Sequence, residues 1–201
     1  MPSDRSRGYD RSAAAFIASR HQHVGLAPIV AWARALRRGA AVLDLGCGFG
    51  DPLATALMRE GCVVYGIDAS PRLLDEFRSR VPGAPAACET IEDSPFFSRQ
   101  FDGVVAWGVM FLLPLETQGL VIGKVARALV PGGSFLFTSP DQACSWEDSL
   151  TGAPSISPGG DAYRQMLHEV GLVPVGELDD EGENHYFISV KRHGDTGIRR
   201  A

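Results

Sequence analysis

The sequence predicts an α/β protein, a doubly wound and mostly parallel sheet with helices on both faces. Three observations carry this. Strand-like and helix-like segments alternate from residue 41 to about residue 191. The strand segments, VLDL at 42–45 and VVYGID at 63–68 among them, are apolar nearly throughout, as strands covered on both faces are. The first of them runs straight into a glycine-rich turn, GCGFG at 46–50, followed by good helix formers.

In chain order, residues 1 to 8 are expected to be a flexible lead. Helical patterns follow at about 10 to 20 and 25 to 38. The second has Ile29, Trp32, Ala33 and Leu36 on one face and meets Gly39, a residue suited to a helix C-terminus. A strand at 41–45 enters the glycine turn, and Pro52 suits the first turn of a helix over 52–60. After the strand at 63–67, Ser70 and Pro71 can cap and start a helix over 71–79. Strands at 85–88 and 102–107, a helix at 115–130, a strand at 134–138 and a helix at 160–170 continue the alternation. The last two strands, 172–178 and 185–191, are joined by the short turn DDEGEN, which permits only antiparallel pairing. One connection is long: residues 140 to 160 leave the C-terminal edge of the sheet, where open α/β proteins bind ligands. This loop and the N-terminal helices are the material expected to roof a site there.

The chain has 201 residues, 45% of them hydrophobic, enough for one domain over 1–201 with a flexible tail at 193–201. No apolar run reaches membrane-span length, and MPSDRSRGYDRS has no apolar signal core, so no membrane association is expected. Cys47, Cys62, Cys88 and Cys144 show no C-x-x-C pairing. Neither disulfides nor a metal site are expected, and the first three are placed on or beside buried strands; a reducing cytoplasm fits. A net charge of −5 argues against non-specific nucleic-acid binding.

The turn is D-x-G-x-G-x-G, with Asp44 ahead of Gly46, Gly48 and Gly50. Bare glycine backbone lets a ligand approach, and a helix N-terminus offers free N–H donors. Asp68 ends the second strand 20 residues after Gly48, about the spacing at which a carboxylate meets a nucleotide ribose. With these features, DLGCGFG and GID resemble motifs I and II of the class I S-adenosylmethionine (SAM) methyltransferases. The segments IEDSPFF (91–97), FDGVVAWGVMFLL (101–113) and LVPGGSFLFTSP (129–140) extend the resemblance, in order, over about residues 9 to 192.

The resemblance implies a Rossmann-like seven-stranded sheet of order 3-2-1-4-5-7-6 with the last strand antiparallel. It also implies SAM as cofactor and S-adenosylhomocysteine (SAH) as product. Carried onto this sequence, Tyr9 closes over the SAM carboxylate, and Asp44 orders the glycine loop and faces the ammonium. Gly46, Cys47 and Gly48 form the cradle. Asp68 takes the ribose hydroxyls, with Ala69 beside the adenine. Ile91 and Glu92 supply a backbone N–H and an acidic side chain to the adenine, and the backbone at Trp107 and Gly108 meets the amino group. Met110 and Phe111 continue the wall of the methyl-transfer site. Many relatives carry a histidine just after this point, whereas here the run is MFLLP. His185, in DEGENHYFI with Asn184 and Tyr186, is then the remaining candidate for a general base. Arg20, His21 and His23 are candidates for the carboxylate or a substrate; Trp146, Tyr163 and His168 are further pocket candidates.

The resulting expectation is a SAM-dependent methyltransferase, monomeric or homodimeric, acting on a small molecule by in-line displacement. Three rivals stand beside it. A nicotinamide dehydrogenase shares the strand, glycines and acidic residue but needs a catalytic Tyr–Lys or similar pair, and Lys124 and Lys191, the only lysines, have no such partner nearby in sequence. A SAM-binding partner module would bind without turnover. A protein or RNA methyltransferase would need a wide groove.

Overall fold

The computed structural model describes residues 4–19 and 24–192. Arg20, His21, His23 and the expected tail at 193–201 lie outside them. The helices are α1 (Ala13–Ser19), α2 (Leu26–Ala35), α3 (Leu53–Arg59), α4 (Pro71–Arg80), α5 (Leu115–Ala128) and α6 (Gly160–Glu169). The strands are β1 (Ala41–Leu45), β2 (Val63–Asp68), β3 (Ala86–Cys88), β4 (Phe101–Ala106), β5 (Leu129–Thr138), β6 (Cys144–Glu147), β7 (Pro154–Ser157), β8 (Leu172–Asp179) and β9 (His185–Lys191).

Seven strands form one sheet in the order β3-β2-β1-β4-β5-β9-β8. The pairs from β3 to β5 are parallel, while β9 is antiparallel to both β5 and β8. Setting aside β6 and β7, which pair only with each other, this is the order 3-2-1-4-5-7-6. Alternate side chains of the central strands face opposite layers, which makes the sheet doubly wound. Leu43, Leu45, Val104, Phe135 and Phe137 pack with Val121, Val125 and Tyr163 of α5 and α6. Val42, Val64, Val105 and Leu136 pack with Ile29, Trp32, Leu57 and Phe77 of α2, α3 and α4. Strands buried on both sides need side chains apolar on both sides, which is why their sequences do not alternate.

Three local expectations are corrected. Helix α2 ends at Ala35 and not at 38. Leu36 is extended (φ −77, ψ 157), and Arg37 turns to Asp102, its Nε and Nη2 donating at 2.6 and 2.7 Å. The connection at 140–160 is not irregular, since β6 and β7 form a hairpin within it. Residues 4–8 make bonds both among themselves and to the rest of the chain. The Asp4 carboxylate accepts from the N–H groups of Ser6 and Gly8, and Arg7 pairs with Glu92 at 3.0 Å. Cys88 is exposed, because β3 is the edge strand; Cys47 and Cys62 are buried, and all four cysteines are free. Among the described residues no helix is long and apolar enough to cross a membrane.

Candidate functional site

A cavity of about 470 Å³ opens beyond the C-terminal ends of β1, β2, β4 and β5. Among the described residues, every one predicted from sequence for a nucleotide-like ligand lines it except Asp44: Tyr9, Gly46, Cys47, Gly48, Asp68, Ala69, Ile91, Glu92, Trp107 and Gly108. They come from five separate stretches of chain, brought together because parallel strands β1, β2 and β4 end at one edge of the sheet.

The glycine loop is fixed from below. The carbonyl of Ile67, on β2, accepts from the N–H groups of Gly46 and Cys47 at 2.8 and 3.0 Å. Gly46, Gly48 and Gly50 all have positive φ, at 69, 53 and 83 degrees, a backbone region that disfavours side chains. The Cys47 thiol is buried. Its pKa is pushed well above the usual thiol range, first by burial and then by the charges of Asp44 and Asp68, so it is a packed neutral group and not a nucleophile.

Asp68 ties the two βα turns together. One carboxylate oxygen accepts from Gly48 N–H and the other from Ser70 N–H, both at 2.8 Å. Ser70, as anticipated, caps α4, its hydroxyl accepting from Leu73 N–H. Each carboxylate oxygen keeps capacity for a further donor. Burial pushes the Asp68 pKa up, against the pull of the two backbone N–H groups, and the charge of Asp10 adds to the rise.

Asp44 is fully buried and does not line the cavity. It sits one residue back from the strand end, opposite Gly66 and Val105, on the face that carries Val42. Trp107 lines the cavity and its indole N–H donates to the buried Tyr186 hydroxyl at 3.1 Å. Tyr186 in turn donates toward Gly25 O and Asp180, both at 2.9 Å. Gly108 N–H donates to Thr138 Oγ1 at 2.7 Å, joining the ends of β4 and β5.

Several candidates fall elsewhere. His185 does not line the cavity. Antiparallel register sets it opposite Asp179 on β8, where its two ring nitrogens lie 2.7 Å from Asp179 and 3.2 Å from Glu177. A histidine held by carboxylates on both nitrogens has no free lone pair aimed at a substrate. Asp141, Glu177 and His185 bring ligand-type atoms together, but Arg164 already pairs with both carboxylates, at 3.0 and 2.7 Å. Tyr163 is core, bonded to Gln118 and Ser139, its pKa pushed up to about 12 by burial. His168 is exposed at the end of α6. Met110 is fully buried, whereas Phe111 lines the cavity and packs against Trp146 outside it. Asn184, beside His185, does line the cavity.

Sequence reasoning missed Phe16, Thr138 and Asp148 as wall residues. Asp148, at the end of the β6–β7 hairpin, accepts from the Tyr9 hydroxyl at 3.1 Å. The N-terminal segment and the 140–160 connection thus meet across the cavity, as a roof built from both would require.

Residues 42–133 match the family model described as a methyltransferase domain. An uncharacterized methyltransferase of Synechocystis sp. is 34% identical over 113 residues, covering 56% of this chain and 52% of that protein. A trans-aconitate 2-methyltransferase of Methylobacterium nodulans is 33% identical over 108 residues, covering 51% of this chain and 39% of that one. Such relatives are longer proteins: the chain spans about half the length of the first of them. Among solved structures, the N-methyltransferase NodS of Bradyrhizobium japonicum, in complex with SAH, has the same fold. It superimposes with a TM-score of 0.75 over 95% of this chain and 100% of that chain, at 17% identity.

Proposed function

We propose, from this chain's membership of the class I SAM-dependent methyltransferases, that it binds SAM in the cavity and passes the methyl group to a small acceptor. The observation that carries this reading is the convergence on one cavity of Asp68, the glycine loop and the β4 end. When bound, SAM supplies a sulfonium-activated methyl group that a nucleophile takes by in-line displacement.

The residues present fit that ligand. A Cβ at Gly108 would meet nothing within 4 Å, so bare backbone faces open space there, while one at Gly48 would press on the Phe16 ring at 3.3 Å. Asp68 offers a carboxylate to two hydroxyls at once. Acidic side chains on the wall, Asp68, Glu89 and Asp148 among them, suit a ligand with a cationic sulfur. Neither histidine nor lysine is among the described cavity-lining residues. The chain's contribution is to hold the reactants in line and exclude water. The roof joined at Tyr9 and Asp148 favours a small molecule over a folded protein as acceptor.

Calorimetric titration of the full chain with SAH gives one-site binding, and titration with NADH gives none. Heat with NADH alone overturns the reading and restores the dehydrogenase alternative. Gly48→Val abolishes SAH binding. It combines a positive φ that a β-branched residue resists with bulk placed in ligand space, while folding loses only about 1–3 kcal/mol. A Gly48→Val protein that binds SAH normally would place the ligand elsewhere.

A further inference from the structure

Lys124 is a half-buried lysine on α5, the helix that covers the far side of the 89–94 segment. Its ammonium donates to three backbone carbonyls of one short turn: Ile91 O at 2.8 Å, Glu92 O at 2.7 Å and Ser94 O at 2.8 Å. It also sits 4.4 Å from the centre of the buried Phe96 ring. An ammonium has three donors, and here all three are spent on a single turn. Desolvation lowers the Lys124 pKa, and the charge of Glu92 opposes that.

The consequence for the cavity follows from peptide geometry. The bond between Ile91 and Glu92 is trans, so its C=O and N–H point in opposite directions. With Ile91 O turned onto Lys124, Glu92 N–H is turned away from α5. That N–H has no hydrogen-bond partner among the described residues, and Glu92 lines the cavity. The Glu92 side chain is engaged elsewhere, by Arg7 at 3.0 Å. The main chain at this point therefore leaves an N–H donor on the side away from α5, at a residue of the cavity wall.

We infer that Lys124 is a positioning residue for base recognition: by gathering the carbonyls of residues 91, 92 and 94, it aims Glu92 N–H at a ring nitrogen acceptor of the purine. The inference rests on the SAM-binding reading above. It accounts for a charged group that touches no ligand and yet fixes the shape of the wall that would meet one.

The test uses the full chain and two probes, SAH and S-inosylhomocysteine, in which hypoxanthine replaces adenine. Adenine N1 accepts a hydrogen bond, whereas hypoxanthine N1 carries a proton and opposes an N–H. Wild type prefers SAH by roughly tenfold, the worth of one buried hydrogen bond. Lys124→Met, which keeps a similar stem on Phe96 and removes the donors, lowers SAH affinity and brings the ratio close to one. Arg127→Met, on the same helix, leaves the ratio unchanged. If Lys124→Met does not fold, Lys124→Leu, which also lacks a donor, is read in the same way. A Lys124 variant that melts lower but keeps the full preference overturns the positioning role and leaves SAM binding standing. Wild type that binds neither probe overturns both.

Discussion

Asp68→Ala lowers SAH affinity by roughly 100-fold or more in calorimetry, with the fold retained. Hydrogen bonds to a charged acceptor contribute about 1.5–3 kcal/mol each, and a ribose diol would make two. The same carboxylate also holds Gly48 N–H and Ser70 N–H, so its loss loosens the cradle as well as the ribose contact. Asp68→Asn tests the share owed to charge. One of its amide faces must oppose a backbone N–H, so it binds more weakly than an isosteric replacement at a neutral site would. The pH dependence has a definite sign. Ribose binding needs the ionised carboxylate, and burial raises this pKa in the free protein. SAH affinity therefore falls on acidification, beginning at a higher pH than an ordinary aspartate would give, and Asp68→Asn lacks that step. Stability of the free protein runs the other way. A raised carboxylate pKa favours the folded state at low pH, and that contribution is lost as pH rises through the folded-state pKa. An affinity that is flat in pH for wild type, or untouched in Asp68→Ala, removes Asp68 from the site.

The strands could be read from sequence because burial on both faces leaves an apolar run, and the pairing of β8 with β9 because a five-residue turn allows one only; their order is what the family resemblance implied. The glycine loop was legible for a related reason: positive φ at three alternate positions is a demand that sequence states openly. Other features arise only when distant segments meet. The β6–β7 hairpin is hidden because CSWE is mostly exposed and the buried positions of PSIS are serines, so neither strand carries an apolar pattern. Lys124 looks like any helical lysine until α5 is laid against residues 91–94. His185 reads as a free imidazole until β8 sets Asp179 opposite it. Asp44 is the subtler case. The motif marks it as a charge near the end of a buried strand, and only the fold shows that it is fully buried and outside the cavity lining.

Gly66, in a strand and outside the three-glycine motif, also has little freedom to change. It lies in β2 between Asp44 of β1 and Ala86 of β3. A Cβ there would stand 2.7 Å from Cys47 Sγ and 2.9 Å from Phe77 Cζ. Phe77 is fully buried and also abuts Gly50, where a Cβ would come within 2.8 Å of the ring, so the ring has no room to retreat. Gly66→Ala must displace either that ring or Cys47. Overpacking of this kind costs about 1–3 kcal/mol, a fall in Tm of roughly 2–12 °C for a chain of this size. Moving Cys47 also drags the cradle, since its N–H shares Ile67 O with Gly46. Gly66→Ala accordingly weakens SAH binding although residue 66 does not line the cavity. The double variant Gly66→Ala, Phe77→Leu separates the two effects: the smaller side chain makes room for the methyl group, and SAH affinity recovers even where Tm does not. A Gly66→Ala protein with wild-type melting and wild-type affinity would mean that the loop and α4 are not packed through this glycine.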